Sequence, residues 1–380
     1  MNPTYQICTR CVMDTTDRHI AFDSQGVCNH CREYEAKIRP TLLSSAQAAA
    51  KLAETIAAMK TAGRGRRYDC LLGLSGGADS SYLALLAWRQ GLRTLVVHLD
   101  NGWDSELAVK NIENIIRKTG FDYFNHVVDW EEFKDLQLAY LRASVVDIEV
   151  VTDHAITALM YRTAGKFGIR YILSGLNHAT ESIMPRQGWN YQKRDLTNLR
   201  AIHRQFGARS LRTYPTLGVY GYAYYHYLRR ILVAPLLNLV EYRYENVLQE
   251  LTHEFGWRFY GRKHGESAFT KFYQAYILPR KFDVDKRRPH LSSLICAGQL
   301  TRTEARQRLT EPVYDPEELR RDYEFVTKKL GLTTEQFESI MKQPVIAHEF
   351  YATERTDALL NLQKSAGKFI LRALGLRKTK

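Results

Sequence analysis

No long apolar run occurs anywhere in the 380 residues of this chain. The most hydrophobic late stretch, 217–240, is interrupted by Arg229 and Arg230, so no membrane span is expected. The opening MNPTYQICTRC has neither the basic region nor the apolar core of a signal peptide. Cysteine is scarce: there are six, and four of them form two CxxC pairs near the N-terminus. That usage suits a reducing compartment better than a disulfide framework and points to a cytoplasmic location. Internal repeats and low-complexity tracts are missing as well, and the composition, 45% hydrophobic and 25% charged, is that of a chain able to bury a large core.

Charge is present in excess of one sign, with a formal net value of +13. Nucleic acid, a nucleotide-linked substrate and an acidic partner would each suit it. The basic residues are spread rather than gathered, however, and a solvated basic surface accounts for them equally well.

Three regions follow from the patterning. Residues 1–40 lack apolar periodicity and need a staple to fold. Cys8-x2-Cys11 and Cys28-x2-Cys31, 16 residues apart, have the spacing of a four-cysteine zinc site built from two knuckles. An iron-sulfur cluster, a redox dithiol or plain packing are the alternatives. Cys70 and Cys296 read as core thiols.

Over 41–240, after an alanine-rich helix at 44–59, strands are expected at 68–74, 93–100, 122–128 and 169–175, alternating with helices at 78–90, 104–120 and 153–167. The alternation predicts an α/β fold with a doubly wound parallel sheet, which binds ligands beyond the carboxyl ends of its strands. In 241–380 strand signals fade. Thr301 with Glu304, Thr333 with Gln336, and Asp315-Pro316 mark helix starts, so this region is expected to be mainly helical, with substrate and partner contacts.

The first strand runs into LSGGADSS. Ser75, Gly76 and Gly77 make the turn, and Asp79, Ser80 and Ser81 fill the first turn of the next helix. Glycines allow close backbone approach, the helix start favours an anion, and serine hydroxyls add donors. No Walker lysine follows, which excludes the ordinary P-loop. Asp100, ending the second strand, is placed to accept from a nucleotide, or merely to cap the Asn101-Gly102 turn. Gly175 and Glu181 follow the fourth strand. Asp153 and His154 are weaker candidates, since capping explains the aspartate.

The loop resembles the SGGxDS loop of the PP-loop ATP pyrophosphatases, matched by Ser75, Gly76, Gly77, Asp79 and Ser80. The resemblance implies ATP cleaved between its α and β phosphates, pyrophosphate held in the loop, and AMP passed to a substrate oxygen. It further implies catalytic roles for Ser75 and Asp79, with Asp79 assisting Mg2+, and nucleotide or metal contacts from Ser80, Ser81, Asp100, Gly175 and Glu181.

The opening CTRCVMDTTDRHIAFDSQGVCNHC, the stretch HLDNGWDSELAVKNIENI, and the later EFGWRFYGRKHGESAFTKFYQ and DVDKRRPHLSSLICAGQLTRTEA carry a narrower likeness. Together they resemble the N-acetyl sugar amidotransferases of bacterial surface-polysaccharide (lipopolysaccharide O-antigen) synthesis, over 8–305. That family implies conversion of an acetamido group on a nucleotide-linked sugar to an acetamidino group, with ATP, Mg2+ and Zn2+ as cofactors. The ammonia would come from a partner glutaminase resembling the imidazole-glycerol-phosphate synthase pair, and this chain shows no glutaminase triad of its own. Lys263, Glu266, Arg287 and Arg288 are the proposed contacts to an anionic sugar nucleotide, although a salt-bridged helical surface would read the same. The rival enzyme is a tRNA-modifying PP-loop protein of thiolase or lysidine synthetase type, and the rival non-enzyme is a nucleotide-binding assembly factor. Nucleic acid is not the expected partner.

Overall fold

The computed structural model describes residues 5–357. Five strands, β1 (Cys70–Gly73), β2 (Thr94–Asp100), β3 (Asp122–Val127), β4 (Tyr171–Leu173) and β5 (Leu232–Ala234), form one sheet in the order β3-β2-β1-β4-β5. Every neighbouring pair is parallel, as the alternation of strands and helices requires. Order reverses at β1, which puts the switch-point crevice at the end of that strand.

The central strands β1, β2 and β4 are covered on both faces, whereas the edge strand β3 is largely exposed, and side-chain alternation along the central strands sorts the core. Leu71, Leu95, Val97, Leu99 and Ile172 join Ala155, Ala158 and Leu159 of the helix Val150–Phe167 on one face. Cys70, Leu72, Val96 and Leu173 join Leu83 of Ala78–Arg89, Ile112 of Glu106–Thr119 and Leu251 of Tyr244–Phe255 on the other. The helices Trp130–Ala143 and Leu196–Phe206, which are not among the elements read from sequence, pack on each other beside the first face.

The C-terminal helices start where their caps predict. Thr301 and Thr333 close capping boxes with Glu304 and Gln336, and Asp315 accepts from the Glu318 amide. The cysteine module sits against two of them. Arg302 donates to the carbonyls of Cys8 and Cys11 at 2.8–3.0 Å, and Val12 packs with Leu291 and Ala305. Among the described residues no helix is long and apolar enough to cross a membrane.

Candidate functional site

Beyond the ends of β1, β2 and β4 lies a cavity of about 480 Å³. Ser75, Gly77, Asp79 and Ser80 line one side, Ser174, Gly175 and Glu181 another, and Lys263, His264 and Glu266 close it from the C-terminal region.

The turn after β1 is clamped through one carbonyl. Gly76 has φ +83°, a conformation that suits glycine. Its carbonyl oxygen accepts from Trp257 Nε1 at 2.9 Å, Tyr260 Oη at 2.8 Å and Ser81 Oγ at 3.3 Å. Ser81 is therefore buried as part of the turn's frame and not exposed to the cavity. Ser80 Oγ lies 3.1 Å from Ser75 Oγ, so these two hydroxyls stand side by side at the start of the helix. The Gly77 face is open to Glu266: a β-carbon there would come within 2.8 Å of Glu266 Oε1.

Asp79 is the hub. Its Oδ1 accepts from Asn177 Nδ2 at 3.1 Å and from the Tyr242 hydroxyl, and its Oδ2 lies 3.3 Å from Lys263 Nζ. Lys263 also reaches Glu181 Oε1 and Thr180 Oγ1, both at 3.0 Å. Burial would lower the Lys263 ammonium, but Asp79 and Glu181 outweigh it and hold the group above the ordinary lysine range. Burial, then the charge of Asp79, raises the Tyr242 hydroxyl, which therefore stays a donor. Asp79 and Glu181 together offer hard carboxylate oxygens on either side of one cationic position, a donor set that suits Mg2+ bound with nucleotide phosphates.

Other candidates lie elsewhere. The Asp100 carboxylate caps the Gly102 amide at 2.9 Å and faces a second depression with His98, Asp104 and Lys110 instead of the nucleotide cavity. Arg287 is folded onto Asp285 at 2.8 Å and the Glu311 carbonyl. Arg288 is bound to the Val12 carbonyl and the fully buried Asp14, both at 2.9 Å. Neither arginine lines the cavity: Arg288 holds the cysteine module, and Arg287 ties the start of its helix to the end of the helix Arg302–Thr310. Asp153 lines the cavity but is paired with Lys193 at 3.0 Å. His154 is buried behind it, accepting the Leu217 amide at 3.1 Å.

Sequence reading missed Tyr242, Asn177 and Glu149. Asn177 follows Gly175 closely enough to have been suspected, whereas Tyr242 and Glu149 carry no local signal.

At the N-terminus, the four sulfur atoms of Cys8, Cys11, Cys28 and Cys31 lie within 4.8 Å of one another and are buried. Cys8–Cys31 and Cys11–Cys28 are 4.0 and 3.7 Å apart. Those separations are far too long for disulfides. They match the edges of a tetrahedron, roughly 3.8 Å, around one ion with metal–sulfur bonds of about 2.3 Å. An iron-sulfur cubane would spread the thiolates farther. Cys70, by contrast, is buried in β1 beside Thr94, and burial pushes its thiol up to about 12.

Comparison with known proteins bears on one wall of this site directly. Residues 266–365 match the family described as LPS biosynthesis protein WbpG-like, C-terminal domain. The tRNA(Ile)-lysidine synthase of Thermus thermophilus is 30% identical over 118 residues, covering 30% of this chain and 22% of its own length. That of Chlamydia pneumoniae is 29% identical over 139 residues, covering 36% of this chain and 40% of its own. The chain thus spans well under half of these curated relatives. Among solved structures, NMN synthetase from Francisella tularensis aligns at TM-score 0.32 and 13% identity over 80% of this chain and 98% of that one. The NH3-dependent NAD synthetase from Campylobacter jejuni aligns at TM-score 0.28 and 15% identity over 36% and 58%. The chain thus places an SGGADSS turn at the switch point of a five-stranded parallel sheet, and its residues 266–365 are similar to the WbpG-like C-terminal domain of lipopolysaccharide-biosynthesis proteins.

Proposed function

We propose that this chain adenylates the acetamido oxygen of a nucleotide-linked N-acetyl sugar and replaces that oxygen with nitrogen from ammonia, releasing AMP and pyrophosphate. The observation that carries the reading is the placement of the family-matched segment: Glu266, its first residue, lies against Gly77 of the PP-loop turn. A lipopolysaccharide-synthesis domain therefore forms one wall of the nucleotide cavity.

In this reading the Ser75, Gly77 and Ser80 rim receives the pyrophosphate, and Lys263 positions Asp79 and Glu181. Mg2+, held by those carboxylates, would neutralise charge on the phosphates as pyrophosphate departs. An amide oxygen is a poor leaving group and its adenylate a good one, so ammonia then attacks an activated carbon. The zinc ion of the four-cysteine module is structural, since a closed tetrahedron leaves no position for substrate. A separate glutaminase with an ammonia channel supplies the nitrogen, and reduced thiolates, ATP and nucleotide sugar together suit a cytoplasmic enzyme.

The test incubates the protein with ATP, Mg2+, ammonium and a panel of diacetamido uronate nucleotide-sugars, with Asp79→Ala as control, and reads AMP and product mass. A product one mass unit lighter, with equal AMP, is expected. The likeness to lysidine synthases favours tRNA as the second substrate to try, and AMP released with tRNA alone would replace the sugar reading. Sulfur transfer fits less well, because the one cysteine near the loop, Cys70, is buried and protonated.

A further inference from the structure

Opposite the glycine turn, the cavity wall contains a carboxylate that forms no ion pair among the described residues. Glu149 precedes the helix Val150–Phe167 and lines the cavity with Thr152, Asp153 and Thr270. Its neighbours are already committed. Lys193 bridges Asp147 at 2.7 Å and Asp153 at 3.0 Å, which leaves Glu149 with hydrogen bonds from Thr270 Oγ1 alone, at 3.2 Å to each carboxylate oxygen. A half-buried carboxylate that stays unpaired in a cavity wall is disfavoured unless it meets a cation or takes a proton. The phosphates of ATP and of a sugar nucleotide would be repelled from it. Of the reactants in the proposed amidation, ammonium is the one that is cationic, small and able to donate to both oxygens.

Resting on that reading, we propose that Glu149 binds the incoming ammonium and is the base that converts it to ammonia for attack. The Glu149 carboxylate accepts one proton from NH4+. The freed lone pair forms the C–N bond at the adenylated carbon, and the electron pair of the C–O bond leaves with AMP. A second proton passes from the new nitrogen to the departing phosphate, leaving an acetamidinium group. Ordinary carboxylates are too acidic for this task near neutrality. Burial first, then the charge of Asp153, raises Glu149 to about 7, with Asp147 adding to the rise and Lys193 and His264 opposing it. Lys286, at the start of the helix Arg287–Cys296, is a further cation that interacts with it.

The experiment measures product formation by the full chain and by Glu149→Gln between pH 6.5 and 9 at fixed total ammonium, with hydroxylamine as a second nucleophile that is unprotonated over this range. Wild type should rise only about fourfold between pH 6.5 and 8, as Glu149 loses its proton, and then level off. Glu149→Gln should be slowed about 100-fold at pH 7 and should gain about tenfold per pH unit, following free ammonia. With hydroxylamine the variant should work within about twofold of wild type, which also shows that it is folded and still adenylates. Glu149→Asp should retain ammonium use in part. Parallel pH profiles for wild type and Glu149→Gln, or an equal loss with hydroxylamine, would overturn the assignment and make Glu149 a ligand for magnesium or a structural carboxylate. If wild type itself forms no AMP with any sugar and nucleophile, the amidation reading has failed instead.

Discussion

Lys263 Nζ stands 3.3 Å from Asp79 Oδ2 and 3.0 Å from Glu181 Oε1, so one ammonium joins the aspartate of the phosphate turn to the glutamate that follows β4. Removing it would leave two carboxylates facing each other in a half-buried site. Breaking a buried pair from one side costs about 3–5 kcal/mol, since the remaining charge is uncompensated. This site is only half-buried, so Lys263→Met should lower the urea unfolding free energy by roughly 2 kcal/mol and cut AMP formation by about 100-fold or more, while Lys263→Arg retains part of both. An unchanged urea midpoint for Lys263→Met would show that the pair does not hold the site together.

Arg288 separates substrate binding from support. It contacts Asp14, which has no exposed surface, and the Val12 carbonyl. Arg288→Ala should destabilise the chain by about 3 kcal/mol, because Asp14 would keep its hydrogen bonds from Tyr5 and Thr16 but lose the cation that balances its charge. The KM for the sugar nucleotide, measured on the folded fraction, should stay within about twofold of wild type. A large KM effect with unchanged stability would return Arg288 to the substrate site.

Metal removal should be felt at a distance. The Cys8 and Cys11 carbonyls receive Arg302, and the Val12 amide reaches Ser292 Oγ at 3.3 Å, so the module braces the helices Arg287–Cys296 and Arg302–Thr310. From the same first helix, Ser293 Oγ receives the Ile183 amide at 2.9 Å and His290 donates to the Thr180 carbonyl at 3.1 Å. Elemental analysis should give one zinc per chain. Chelation or Cys11→Ser should raise hydrogen exchange over 287–310 and then around 180–183. Protection unchanged at 180–183 would mean that the module folds without bracing the site.

Gly77 and Glu266 offer a paired test of the contact between the glycine turn and the segment that the family model matches. A methyl group at Gly77 would come within 2.8 Å of Glu266 Oε1. Gly77→Ala should weaken ATP binding about tenfold by calorimetry, and Glu266→Ala in the same chain should restore most of it, because the obstacle is the end of a side chain and not backbone. No recovery in the double variant would locate the damage in the turn itself.

The parts of this site built from contiguous residues were legible in sequence. The SGGADSS turn, the four cysteines and the alternation of strands depend on spacing, and the structure places them where spacing puts them. β5 was hidden because Leu232–Ala234 is three residues long within a stretch that reads only as apolar. Tyr242 and Glu149 were hidden for a different reason: each acts through contacts with residues far away in sequence, and neither sits in a repeat or a motif. Arg287 and Arg288 misled in the opposite sense. A dense cluster of arginines has the chemistry of an anion site, and only the fold reveals that Asp285 and Asp14 already occupy it.

His348 supplies a pH test of stability independent of catalysis. Its Nε2 accepts the Asp147 amide at 3.3 Å, so Nδ1 carries the proton, donating to Asn198 Oδ1 at 3.1 Å, and the neutral ring stacks on Tyr191 at 4.2 Å. Burial lowers its pKa to about 4. In the unfolded chain the group titrates near its ordinary value of about 6.5. Above that pH both states are neutral. As pH falls through 6.5 the unfolded chain takes a proton that the folded chain refuses, so stability is lost progressively until the folded ring protonates near pH 4. The full window is worth about 3 kcal/mol at most. Burial depresses His154, His178 and His290 in the same sense, whereas Asp104 and Glu266 hold His98 and His264 up, so the wild-type slope is a sum. The comparison that isolates His348 is the difference in urea unfolding free energy between wild type and His348→Gln at pH 7 and pH 5. Wild type should be the more stable at pH 7 and should lose about 2 kcal/mol of that advantage by pH 5. Equal loss in both proteins would mean that His348 titrates alike in the folded and unfolded chains, despite its stacking on Tyr191.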